Sequence, residues 1–119
     1  MVLFTDPIIA IEMMATNTPA TDQSLTLQCI ATIVRGITST VDIIWTIGDT
    51  QIRRINNVTV SGSVNSTSVY SDSFTIPSFD ISDIGSVYQC EVLINSPLPT
   101  TAKTDFTIPI PSMYVYVLL

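Results

Sequence analysis

Few residue types in this chain can do chemistry. Histidine is absent, and the two cysteines, Cys29 and Cys90, stand far apart. Without histidine the commonest general base and the commonest metal ligand are gone. No Ser-His-Asp or Cys-His arrangement can be assembled, and two cysteines alone do not complete a structural zinc site. The 10 carboxylates face only four basic side chains, Arg35, Arg53, Arg54 and Lys103, for a net charge of −6. Phosphate neutralisation needs clustered Lys and Arg, so nucleic acid is not an expected partner. The same balance argues against an anionic membrane surface. No base, electrophile and cleft can be argued together. The expectation is a chain that is not an enzyme, with no metal, no cofactor and no small-molecule substrate, and with proteins as partners. The one covalent reaction left open is between the two thiols.

The elements that carry those thiols read as strands. Apolar residues make up 46% of the 119, and charged residues 12%, enough for the core of one domain and unlike a disordered tail. Ile, Val and Thr recur, and branched side chains suit a pleated surface. Turn signals come at short intervals, at Thr18-Pro19, Arg35-Gly36, Gly48-Asp49, Asn56-Asn57, Ser61-Gly62, Pro77, Gly85 and Asn95-Ser96-Pro97. The runs between them alternate with period two, the pattern of a sandwich or barrel. The spacing predicts strands in SLTLQCIA, VDIIWTI, YSDSFTI, VYQCEVLI and KTDFTI, with PIIAIEMM, QIRRI and NVTVSGSV as further, mostly edge strands. No window predicts a long helix.

Parity then places the reactive residues. Leu25, Leu27, Cys29 and Ala31 share one face; so do Ile43, Trp45 and Ile47, and likewise Tyr88, Cys90, Val92 and Ile94. Two inward cysteines on two strands invite a bridge across the sheets. Closing a loop of that length contributes roughly 4 kcal/mol in the chain-entropy model. A pair of buried, unjoined thiols is the alternative. Trp45, the only tryptophan, lies between them and is expected as core filler.

Taken in order, LTLQC, IIWT, FTIPSF and DIGSVYQC resemble the immunoglobulin superfamily, over about residues 8 to 108. The resemblance implies an all-β, immunoglobulin-like antiparallel sandwich of two sheets with Greek-key connections, and a Cys29–Cys90 disulfide packed on Trp45. It implies a tyrosine corner, with the Tyr88 hydroxyl folded back on the bend that holds Asp83. A C′ strand at QIRRI suggests a variable-like or intermediate set. The last strand lacks the G-x-G of antigen-receptor joining segments. The wording is similar to ectodomain modules of adhesion molecules and receptor tyrosine kinases of early-branching animals. Two departures stand out. One extra residue separates Gly85 from Tyr88, which predicts a bulge or a shifted glycine. The interval from Cys29 to Trp45 is also long, with the extra length expected around VRGITST.

Residues 1 to 7 and 109 to 119 are expected to be flanking or cloning-derived. MVLFTDPIIAIEMM lacks the basic leader and cleavage site of a secretory signal, and MYVYVLL is far shorter than the roughly 20 residues of a membrane span. Two sequons, Asn57-Val58-Thr59 and Asn65-Ser66-Thr67, add glycosylation to the extracellular or cell-surface expectation. The outward parity of the central strands gives a candidate interface of Asp42, Ile44, Thr46, Gln89, Glu91 and Leu93, with Arg53 beside it. Apolar Ile44 and Leu93 inside a polar ring suit a transient protein contact. Arg53 or Arg54 of QIRRI pairing with Asp83 is an alternative role, beside that of a solvated edge strand. The functional expectation is an extracellular recognition module for adhesion or receptor–ligand contact, including contact with another immunoglobulin domain. The alternative is a structural spacer in a receptor ectodomain.

Overall fold

The computed structural model describes residues 8–19, 23–34, 40–60, 62–64, 67–95 and 100–109. Eight strands follow in order: β1 (Ile8–Ala15), β2 (Leu25–Val34), β3 (Thr40–Ile47), β4 (Thr50–Val58), β5 (Gly62–Val64), β6 (Thr67–Ile76), β7 (Val87–Asn95) and β8 (Thr100–Thr107). They form two antiparallel four-stranded sheets, β1-β2-β6-β5 and β4-β3-β7-β8. β1–β2, β3–β4, β5–β6 and β7–β8 are antiparallel partners consecutive in sequence; β2 pairs with β6 and β3 with β7, so the chain crosses between sheets. This is the Greek-key sandwich expected of an immunoglobulin-like topology. Among the described residues no helix is long and apolar enough to cross a membrane.

Alternation builds the core. On β2, Leu25, Leu27, Cys29, Ala31 and Ile33 are buried, while Thr26, Gln28, Ile30 and Thr32 between them are only partly so. On β7, Tyr88, Cys90, Val92 and Ile94 are buried, and Val41, Ile43 and Trp45 meet them from β3. Each fully buried large apolar side chain contributes about 1.5–3 kcal/mol relative to exposure. Gly48, at φ +57, turns the β3–β4 hairpin, a conformation that costs glycine little.

The expected strands form, with two differences. NVTVSGSV is not one strand. Asn57 and Val58 end β4, Thr59 and Val60 lie outside any strand, and Gly62–Val64 is β5. A short 3₁₀ turn, Ile81–Asp83, precedes β7, where the sequence indicates only a bend. Gly85, between that turn and β7, takes φ +85. The registers of β7 with β3 and with β8 run on without a shift. The VRGITST insertion falls at residues 35–39, outside the described residues, as do both flanking tails apart from Pro109.

Candidate functional site

The cysteines are joined. Cys29 and Cys90 form a disulfide linking β2 of one sheet to β7 of the other, with Cα atoms 6.4 Å apart, inside the usual range for such bonds. Both are fully buried. Trp45 pairs with Cys90 in the β3–β7 register and is itself fully buried. Its ring stands 5.8 Å from Phe74, which stands 6.0 Å from Tyr88, both tilted. Such aromatic geometry adds modestly to area burial.

Trp45 does more than fill space. Its indole N–H donates to Asp72 Oδ2 at 2.9 Å. Arg53 grips the same carboxylate, Nε to Oδ2 at 2.9 Å and a terminal nitrogen to Oδ1 at 3.3 Å. Asp72 sits on β6 opposite Cys29, and an inward carboxylate at that position is unusual without a partner. That inward charge in YSDSFTI was the one signal in the sequence for this cluster.

Arg53 therefore does not belong to the outward face, where the sequence placed it. It pairs with Trp45 in the β3–β4 register, on the inward side, and reaches across to the other sheet. Register shifts between Val41 and Ile43, and between Trp45 and Thr46, each add a residue on β4. Bulges of this kind re-aim side chains, which parity alone does not reveal. Asp83 has no arginine partner among the described ion pairs; Arg53 takes Asp72 and Arg54 takes Asp42.

Asp83 instead completes a capping box. Its carboxylate accepts from the Asp80 N–H at 2.9 Å, while the Asp80 side chain accepts from Ile81 N–H at 2.8 Å. Asp83 is half-buried, a corner residue rather than part of the core. Tyr88 is buried two positions before Cys90. No hydrogen bond from its hydroxyl is among those of the described residues, so the expected fold-back of the Tyr88 hydroxyl onto the bend is not seen among them. Burial, and then the charge of Asp83, hold the Tyr88 phenol above its ordinary value.

The outward face of β4-β3-β7-β8 gathers the other candidate residues. Asp42 lies opposite Leu93, Ile44 opposite Glu91 and Thr46 opposite Gln89. Arg54 flanks Ile44 on one side, and Lys103 flanks Glu91 on the other. Lys103 approaches Glu91 at 3.9 Å, and Gln89 donates to Asp105 at 3.1 Å. The resulting surface is mixed in charge, with Leu93 half-buried within it.

Two members differ from an interface residue. Ile44 is only 8% exposed although it faces outward; long neighbours such as Arg54 and Glu91 have apolar stems able to cover it. Asp42 is 4% exposed and collects three donors: the Arg54 guanidinium at 2.8 Å, the Asn57 N–H at 3.0 Å and the Asn95 amide at 2.9 Å. Burial pushes its carboxyl upward, but these hydrogen bonds and the Arg54 charge outweigh burial and hold it below the ordinary value. Thr46 Oγ1 is buried without a hydrogen-bond partner among the described residues.

Asn57 takes φ 56 at the β4 irregularity, with an exposed side chain, and Asp42 holds its N–H. Asparagine tolerates this left-handed conformation better than most residues. Asn65 lies outside the described residues. Comparison with family models and with curated proteins gives no match to either.

Proposed function

We propose that this chain is an immunoglobulin-superfamily domain that works outside the cell as a protein-recognition module, in adhesion or receptor–ligand contact. The buried disulfide supports the oxidising compartment, since such bonds persist mainly in secreted and surface proteins. The exposed Asn57 side chain within its sequon is consistent with a glycosylated surface protein. The observation that carries the recognition reading is the outward face of β4-β3-β7-β8. There Arg54, Ile44, Glu91 and Lys103 form one row across the sheet, flanked on one side by the row of Thr46, Gln89 and Asp105 and on the other by Asp42 and Leu93. Opposed charges at short range favour choice of partner and encounter rate over raw affinity.

The test is staining of a library of cells, each displaying one extracellular protein, this domain included, by a multimerised form of the domain. The expected result is staining of one or a few members, abolished by Leu93→Asp or by Glu91→Lys with Lys103→Glu. Staining that survives both variants assigns recognition to another surface. No staining of any member would support the second reading, a spacer in a receptor ectodomain. One observation favours that spacer reading: Ile44 and Asp42, at the middle of the face, are already satisfied within the chain.

A further inference from the structure

The opposite layer carries a surface of a different kind. On β1, β2 and β6 the outward positions present Met14, Gln28, Ile30, Thr32, Ser73 and Thr75. Glu12 is the only ionised side chain among the described outward positions of these three strands. The outward face of the other sheet holds Asp42, Arg54, Glu91, Lys103 and Asp105. A chain of net charge −6 thus carries little of its charge on the described outward positions of β1, β2 and β6. Depletion of charge, rather than bulk hydrophobicity, is the compositional mark of interface centres.

The details of the face agree. Ile30 sits on β2 at the middle of the face, and Met14, an exposed methionine at 39%, lies on the neighbouring strand β1. The hydroxyls of Thr26 and Thr75 share one hydrogen bond across β2 and β6 at 3.0 Å, so covering the pair displaces fewer bonds to water than two separate hydroxyls would. Glu12 is on β1, the edge strand, where a carboxylate would stay at the wet rim.

We propose that a second copy of this chain docks on the outward face of β1, β2 and β6, forming a face-to-face dimer. Two acidic copies repel least when they meet through the surface that lacks charge, which favours self-association here over the mixed-charge face. Strands of up to 10 residues at about 3.3 Å rise, three abreast at about 4.8 Å, give a footprint of roughly 500 Å² per copy. That is below the ~800 Å² per partner of a standard interface. The dimer is therefore weak and transient, of the sort that acts when many copies are held on one surface. It does not depend on the recognition face proposed above, and its test uses other residues and another readout.

The experiment is sedimentation equilibrium of the purified domain from low to high micromolar concentration, at low and high salt. The expected result is a reversible monomer–dimer equilibrium that salt leaves unchanged or strengthens, because salt screens repulsion between acidic copies. Ile30→Glu should weaken it about tenfold or more. Ser73→Asp, at an exposed position where folding is not at stake, should weaken it as well. Val60→Glu, which alters an exposed apolar residue outside these strands, should leave it as it was. A strict monomer throughout, a dimer that salt dissociates, or a dimer indifferent to Ser73→Asp would each overturn the proposal.

Discussion

Trp45 donates its indole N–H to Asp72 across the gap between the two sheets, at 2.9 Å. The link runs beside the disulfide, because Asp72 lies opposite Cys29 in one sheet and Trp45 opposite Cys90 in the other. Sulfur joins one pair of partners, and a charge-assisted hydrogen bond joins the adjacent pair. Arg53 closes the second link from the edge strand β4. The two sheets are thus tied covalently and polarly at one level of the core.

Asp72→Ala should leave the Trp45 N–H buried without an acceptor and cost about 1–3 kcal/mol. Arg53→Ala should cost less, under about 1 kcal/mol, because the arginine side chain is 40% exposed. Urea unfolding with unchanged m-values checks the order of the two. Equal losses would mean that the ion pair, not the indole bond, carries the link.

Asp42 predicts an acid-side dependence. Its folded pKa is depressed, so its contribution is complete above the ordinary aspartate value of 3.8 and is lost as pH falls through the lower folded value. Asp42→Asn should destabilise the domain at neutral pH, and the difference from wild type should shrink below that value. Carboxyl NMR titration gives the direct reading, with Asp42 titrating below 3.8. A midpoint at or above it would remove the three-donor account.

Tyr88 gives the alkaline counterpart. Its folded pKa is raised, so its contribution is complete below the ordinary tyrosine value of 10.0 and is lost as pH rises through the folded value. Phenolate absorbance should show Tyr88 ionising above 10.0, and Asp83→Asn should bring that midpoint down. No movement on Asp83→Asn would leave burial as the whole cause.

Ile44 and Leu93 should separate folding from binding. Ile44 faces outward yet is nearly enclosed, so Ile44→Asp buries an unpaired charge and should cost more than about 2 kcal/mol. Leu93→Asp, at a half-buried position, should unfold at nearly the wild-type denaturant concentration. If both variants are as stable as wild type, Ile44 is open to solvent in solution.

Much of the sandwich was legible in the sequence, because a period of two fixes which residues of a strand go inward. Leu25 to Ala31 and Tyr88 to Ile94 follow that rule, and so does the meeting of Cys29 with Cys90. Parity says nothing of register between strands. The irregularities on β4 turned Arg53 inward and brought Asn57 N–H to Asp42. Nor does parity reveal what covers an outward residue, so Ile44 and Asp42 read as surface. Asn95, a turn residue in the sequence, proved to be a ligand of Asp42 across β3 and β7.

The central claim is that a buried sulfur bond holds the two sheets together. Intact mass and denaturant unfolding, with and without reductant, test it on the same sample. The account predicts a mass two hydrogens below that of the dithiol, and a loss of roughly 4 kcal/mol once the bond is reduced. A dithiol mass in the native protein isolated without reductant, or an unfolding curve that reductant does not move, would contradict it.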